Sequence, residues 1–198
     1  MYRLVETLKI KDNVIYDLEW HNKRFNDSRL RCFAQKTALD LNNIVSPLLG
    51  NYHGLYKCRI IYTKKIEKIE FTSYQPKHPV SIRLIENNTI DYRYKYEDRS
   101  SLNSMLAQKG TADEIVIVKN GLLTDTSYSN ICLFDGNHWH TPRVPLLKGT
   151  KREKLLSARL IIEKDITPDD LKSYSMLSMI NTMLDLGKIT VSTENIVW

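Results

Sequence analysis

Short runs of alternating apolar and polar residues, each closed by a turn signal, constrain this chain more than any other feature. Residues 2 to 10 and 13 to 17 alternate around Lys11-Asp12-Asn13, and residues 55 to 63, 66 to 74 and 80 to 84 follow as three further strand-like runs. Residues 114 to 118 and 131 to 134 lie on either side of Asn120-Gly121, and the second run ends at Asp135-Gly136. A period of two marks half-buried strands, and Asn-Gly supplies the positive-φ pair that a tight hairpin needs. Helical spacing is confined to a few stretches. Leu18 to Thr37 offers Trp20, Phe25, Leu30 and Phe33 as an apolar face. Ala38 to Leu49 reads as a second helix, disturbed by Pro47 in its last turn and stopped near Gly50, and Ser100 to Gln108 as a short third. Lys151 to Lys164 carries Leu155, Leu156, Ala158, Leu160, Ile161 and Ile162 on one broad stripe, which predicts a core-facing helix. The mixture predicts an α/β (α+β) fold of two lobes: a small one over 1–86, with a meander backed by two helices, and a larger one over 87–198. Polar Glu86-Asn87-Asn88 is the expected linker.

Composition narrows the class. A chain of 198 residues with 42% hydrophobic content can bury a core without help from metal or disulfides. Cys32, Cys58 and Cys132 are scattered, with no C-x-x-C pair, which points to a reducing compartment, the cytoplasm by default. No basic-then-apolar leader opens the chain, and no apolar run approaches the ~20 residues that span a bilayer. The net charge of +6 is interleaved with acids, as in Lys64-Lys65-Ile66-Glu67-Lys68-Ile69-Glu70, which reads as a solvated strand edge rather than a nucleic-acid surface. Local positive potential suits anionic small molecules instead. His138 and His140 share one side of a strand, but no third ligand stands nearby, so surface histidines are expected and no metal.

The chemistry concentrates in the second half, where Lys95, Asp125, Asn130, Thr141-Pro142 and Gly149-Thr150-Lys151-Arg152 follow one another. An amine nucleophile, an acid able to pair with a ring nitrogen, and an anion-binding helix start are the parts needed to hold and use pyridoxal phosphate. Glycine would lie in the loop and Thr150 at or beside the N-cap, where unpaired backbone N–H groups make a phosphate seat or serve plain capping.

Several strings resemble the class-IV aminotransferase family, the fold-type-IV pyridoxal-phosphate enzymes, and the likeness runs through nearly the whole chain. Leu4-Val5-Glu6-Thr7 followed by His21-Asn22-Lys23-Arg24 resembles the family's first strand and H-x-x-R helix, which implies that Arg24 contacts the cofactor phosphate. Lys95-Tyr96-Glu97-Asp98-Arg99 resembles the lyase-like K-x-x-N-R pattern, with Asp98 in place of asparagine, and implies that Lys95 is the Schiff-base lysine. The family's ring-pairing glutamate falls on Asp125, five residues before Asn130, and its G-I-T-R string on Gly149 to Arg152, so that its threonine falls on Lys151. Aspartate is shorter than glutamate by one bond of about 1.5 Å, so the strand moves closer, activity is reduced, or Asp125 is only a turn residue. Met179-Ile180-Asn181-Thr182-Met183 resembles the last phosphate-contacting turn, through Asn181 or Thr182. Arg59 and Arg99 are candidate substrate contacts, although Arg59 reads equally as an exposed strand arginine.

The resemblance implies a small N-terminal lobe, a larger lobe with a barrel-like sheet, a homodimer, and an anionic substrate bearing an amino group. The string at Lys95 favours release of pyruvate from aminodeoxychorismate to give 4-aminobenzoate. An aminotransferase for a small branched-chain or D-amino acid is the alternative, and a catalytically inactive basic binding protein on the same fold is the second.

Overall fold

The computed structural model describes residues 2–198 and has the mixed α/β architecture expected, with much sheet and little helix. It divides into two compact units: residues 2–76 with 94–98, and residues 77–93 with 99–198.

In the first unit, β1 (Leu4–Lys11) turns through Asp12 and Asn13, both at positive φ, into the short β2 (Val14–Ile15). Helix α1 (Leu18–Phe33) and the short α2 (Leu41–Val45) follow, then β3 (Leu55–Tyr62) and β4 (Ile66–Ser73), and the strands form one antiparallel sheet in the order β2-β1-β3-β4. Leu4, Leu8 and Ile10 of β1 pack with Phe25 and Phe33 of α1 and with Cys58, Ile60 and Tyr62 of β3. Alternation along β1 therefore decides which face carries the core.

Two helices are shorter than their sequence pattern. The first stops at Phe33 instead of Thr37 because Ala34 enters the left-handed region at φ 55, where its N–H bonds the Leu30 carbonyl at 3.0 Å. Ala34→Gly should raise unfolding free energy by roughly 0.5–1 kcal/mol, readable in a denaturant melt, because glycine relieves the Cβ clash of that conformation at some entropic cost. The expected helix over 38–49 reduces to α2 and a 3₁₀ turn at Ser46–Leu48, where Pro47 removes a donor.

The second unit holds β5 (Ile82–Glu86), α3 (Ser100–Leu106), β6 (Glu114–Lys119), β7 (Leu122–Thr126), β8 (Asn130–Phe134) and β9 (Trp139–Pro142). It continues with α4 (Thr150–Ser157), β10 (Ile162–Lys164), β11 (Met176–Ile180), β12 (Thr190–Ser192) and β13 (Ile196–Val197). The sheet runs β10-β9-β8-β7-β6-β5-β13, with β11 bonded to β8 and β12. β8 is its branch point: Asn130 pairs β7, Leu133 and Phe134 pair β9, and the whole strand pairs β11. The β6–β7 hairpin turns on Asn120 at φ 52 and Gly121 at φ 75, as the dipeptide requires. The segment expected as a linker is instead the end of β5 and a turn closed by Asn87, whose side-chain oxygen accepts from the N–H groups of Thr89 and Ile90.

The stripe expected as one helix over 151–164 is split. Helix α4 ends at Ser157, Arg159 turns at φ 56, and residues 162–164 pair with β9 as a parallel edge strand. In the bend before that strand Ile161 alone is buried, while Leu160 and Ile162 are exposed, so the apolar stripe does not continue as a helix face.

Candidate active site

The first unit gathers charge on the buried face of β1. Glu6 is fully buried, and α1 presents His21 and Arg24 to it from positions three residues apart, which share a helix face. His21 Nδ1 lies 2.7 Å from Glu6 Oε1. Arg24 Nε donates to Glu6 Oε2 at 3.1 Å, and Arg24 Nη2 donates to Glu6 Oε1. Burial pushes the Glu6 carboxyl up, but the charge of Arg24 and the bond from His21 outweigh it and hold the group at about 2. Burial lowers His21 against the pull of Glu6, and the charges of Arg24 and Lys95 lower it further. Lys95 is tied to the same strand through its backbone: Val5 N–H donates to the Lys95 carbonyl at 2.8 Å, and Leu4 bridges Tyr96. Lys95 and Arg24 therefore sit beside one strand within one unit.

Arg59 lies elsewhere in that unit. Its register partner on β1 is Thr7, whereas Glu6 is opposite Ile60, so alternation sends Arg59 to the other face of the sheet. There its Nη1 donates to Glu70 Oε2 at 3.2 Å across the β3–β4 pair.

In the second unit, Asp125 of β7 stands opposite Asn130 of β8, so the five-residue spacing is the geometry of a tight hairpin end. Asn130 Nδ2 donates to Asp125 Oδ1 and to the Leu147 carbonyl, both at 2.8 Å, while Leu147 N–H donates to Asp125 Oδ2 at 2.9 Å. Those bonds fasten the loop that leads into α4. Burial raises Asp125 to about 7, against the bonds from Asn130 and Leu147 and the charge of Arg152. A carboxyl raised in the folded state favours folding when protonated, so its contribution declines as pH rises from the unfolded value of about 4 to the folded one of about 7. In apoprotein, stability relative to Asp125→Asn should therefore fall by up to about 1.4 kcal/mol per pH unit across that window, read by urea melts at stepped pH.

Helix α4 opens directly beside this pair. Gly149 is its N-cap and Thr150 its first residue, so threonine lies just inside the cap. Thr150, Lys151 and Arg152 are all buried, and the first intrahelical bond runs from Glu153 N–H to the Gly149 carbonyl at 3.0 Å. The three N–H groups before it have no partner within the helix. Lys151 Nζ donates to Asp185 Oδ1 at 2.6 Å, which connects the helix start to the turn after β11. Asn181 shapes that turn, its Oδ1 accepting from Met183 and Leu184 N–H groups at 2.8 and 3.1 Å. Arg152 reaches back to the Pro142 carbonyl at 2.8 Å and to Glu163 at 2.7 Å, so the Thr141-Pro142 and Gly149-to-Arg152 strings are structural neighbours. Arg99, at the start of α3, donates to the Ser127 carbonyl at 2.7 Å, and the N–H of Ser127 donates to buried Glu114 at 3.2 Å. The β7–β8 turn is thus gripped from two sides.

Glu6 and Asp185 were not singled out by sequence reasoning. The i, i+3 spacing of His21 and Arg24 was a usable signal for a shared carboxylate, whereas nothing local marks Asp185. Among the described residues, no group of three or more His, Cys, Asp or Glu side chains is placed to hold a metal ion. No helix among them is long and apolar enough to cross a membrane.

The residues present fit pyridoxal phosphate. A buried helix start offers N–H donors to a phosphate, and a buried carboxyl poised near neutrality, bonded through Asn130 to the loop before that helix, suits a ring nitrogen that carries a proton.

A model of the family described as amino-transferase class IV matches residues 3–191. A Haemophilus influenzae (strain Rd) protein, itself uncharacterized, is 38% identical over 189 residues, which are 92% of this chain and 98% of that protein. Among solved structures, a Haemophilus somnus 129PT protein provisionally described as a 4-amino-4-deoxychorismate lyase matches with a TM-score of 0.86 and 34% identity, over 94% of this chain and 98% of that one. A Mesorhizobium loti protein provisionally described as an amino-acid aminotransferase matches with a TM-score of 0.76 over 97% and 99% of the two chains, and at 21% identity that likeness is one of fold.

Proposed function

Since the chain belongs to the class IV aminotransferase family, we propose that it is a pyridoxal-phosphate enzyme that releases pyruvate from 4-amino-4-deoxychorismate and leaves 4-aminobenzoate. The observation that carries the cofactor reading is the buried Asp125 carboxyl bonded, through Asn130, to the loop that opens α4. The lyase reading is supported by the string from Lys95 to Arg99 and by the description of the Haemophilus somnus protein, 34% identical to this chain.

When bound, the cofactor withdraws electrons from the substrate carbon that bears the amine. Asp125 keeps the proton on the ring nitrogen. Thr150 and Lys151 offer backbone N–H groups to the phosphate, Arg24 adds charge, and the turn at Asn181 closes the seat. Lys95 Nζ would hold the cofactor when it is bound and would move the proton at the reacting substrate carbon. Arg99 supplies charge toward a substrate carboxylate, whereas Arg59, turned to the other face of its sheet and paired with Glu70, is left out of the site. The working form is a homodimer in the cytoplasm.

The test is direct. Purified protein should be yellow after incubation with pyridoxal phosphate, borohydride should fix the label on Lys95, and aminodeoxychorismate should yield pyruvate and 4-aminobenzoate in equal amounts. Amino exchange with 2-oxoglutarate and no pyruvate would replace the lyase reading with a transaminase one. A colourless protein would remove both.

A further inference from the structure

We propose that a cavity beside the β6–β7 hairpin binds a small monocarboxylate with an apolar body, and that its occupant steadies the loop that fastens Asp125. The inference goes beyond the reading above, since binding there needs no pyridoxal phosphate.

The cavity measures about 260 Å³. That is below the ~300–1,000 Å³ of pockets for drug-sized ligands, so its occupant is small. All of its wall belongs to the second unit. None of Arg99, Asp125, Thr150, Lys151 and Asn181 borders it, which separates it from the candidate site in that unit. Part of the wall is apolar: Ile90, Tyr92 and Leu146 pack on Leu102, Ile115 and Ile117, so they present the outer surface of a close-packed core.

The rest of the wall carries charge through Asp91, Arg93 and Lys119. Asp91 is matched by its neighbour. Arg93 donates to Asp91 Oδ1 through Nε at 3.0 Å and through its backbone N–H at 3.2 Å, and Arg93 Nη2 lies 2.9 Å from Asp91 Oδ2. Those bonds hold the Asp91 carboxyl below the usual carboxylate range. Lys119 Nζ donates to the Ile90 carbonyl and, among the described residues, forms no ion pair. A carbonyl fixes the ammonium in place without cancelling its charge, and two of its three donors are left for an anion. With one acid against two cations, the lining holds one positive charge in excess, which selects a ligand with a single carboxylate.

The cavity and the Asp125 pair share a loop. Val144, Pro145 and Leu146 border the cavity, and Leu147, next in the chain, donates its N–H to Asp125 Oδ2 and accepts from Asn130 at its carbonyl. Val144 is 65% exposed, so the outer end of this loop has little packed on it. A ligand seated on Val144 and Leu146 restricts the loop one peptide away from the bonds that hold Asp125.

The experiment titrates wild-type protein with benzoate, and with benzyl alcohol, benzylamine and acetate as controls for charge and body, using calorimetry. Benzoate should bind at least about tenfold more tightly than each control. Lys119→Met should bring benzoate to within about twofold of benzyl alcohol, and Lys119→Arg, which keeps the charge, should retain the preference. If Lys119→Met fails to fold, Lys119→Gln keeps a donor for the Ile90 carbonyl and reads the same ratio. Saturating benzoate should slow hydrogen exchange at the Leu147 amide by about threefold or more in wild type and leave it unchanged in Lys119→Met. Absence of a preference for benzoate, or a preference that survives Lys119→Met, would overturn the binding site. Binding without slower exchange at Leu147 would overturn its link to Asp125. A protein that stays colourless with pyridoxal phosphate yet binds benzoate through Lys119 would defeat the cofactor reading and support this inference.

Discussion

Lys95→Ala is expected to lower kcat by about a thousandfold or more, because it removes a nucleophile and proton carrier. The segment is tied to β1 through the Lys95 carbonyl, which the substitution retains. Cofactor should still bind at the α4 seat, but borohydride should no longer fix it to the protein. Lys95→Arg keeps the cation and should be equally inactive, which separates charge from covalent chemistry. Steady-state kinetics, together with mass spectrometry of the reduced protein, decide the matter. A Lys95→Ala variant with turnover near that of wild type would remove this residue from the mechanism.

Gly149→Ala should be the most damaging conservative change in the second unit. Its backbone, at φ −71 and ψ 143, is open to any residue, so the glycine is not there for conformational freedom. It is there for space: a Cβ would fall 2.0 Å from Asn130 Oδ1 and 3.2 Å from Asn130 Cγ. Asn130 would have to swing away and give up its bonds to Asp125 and to the Leu147 carbonyl. Losing two buried hydrogen bonds and straining the loop should cost roughly 2–4 kcal/mol in denaturant melts. With Asp125 short of a donor and the helix start displaced, turnover should fall by about a hundredfold, since misplacement on the order of 1 Å can cost that much in rate. Gly50→Ala, with nothing within 4 Å of its added carbon, is the control and should leave both readouts unchanged. Equal effects from the two substitutions would refute the steric argument.

The parts legible from the sequence were those fixed by local chemistry. Asn120-Gly121 specified its hairpin because both residues tolerate positive φ, and the spacing from Asp125 to Asn130 corresponds to a hairpin end that puts the two side chains in contact. The parts that were not legible depend on distant partners. Ala34 stops α1 in a conformation that alanine seldom adopts, so no residue signal marks it. The apolar residues from Leu155 to Ile162 satisfy a helix stripe on paper, and only the available edge of β9 turns the last of them into a strand. Glu6 looked like an ordinary strand acid until α1 placed His21 and Arg24 on it. Asp185 lies 34 residues from Lys151, and no pattern in the chain links them.

The position of β8, bonded along one edge to β11 and along the other to β7 and β9, has a consequence for how the molecule is made. On the ribosome, Ile131 to Leu133 emerge well before the residues of β11 that complete their ladder, so the middle of the sheet waits, half-paired, for later synthesis. Such delayed long-range pairing slows assembly and leaves a sticky apolar edge uncovered in the nascent chain. Completion of the sheet only after β11 has been made is built into that topology.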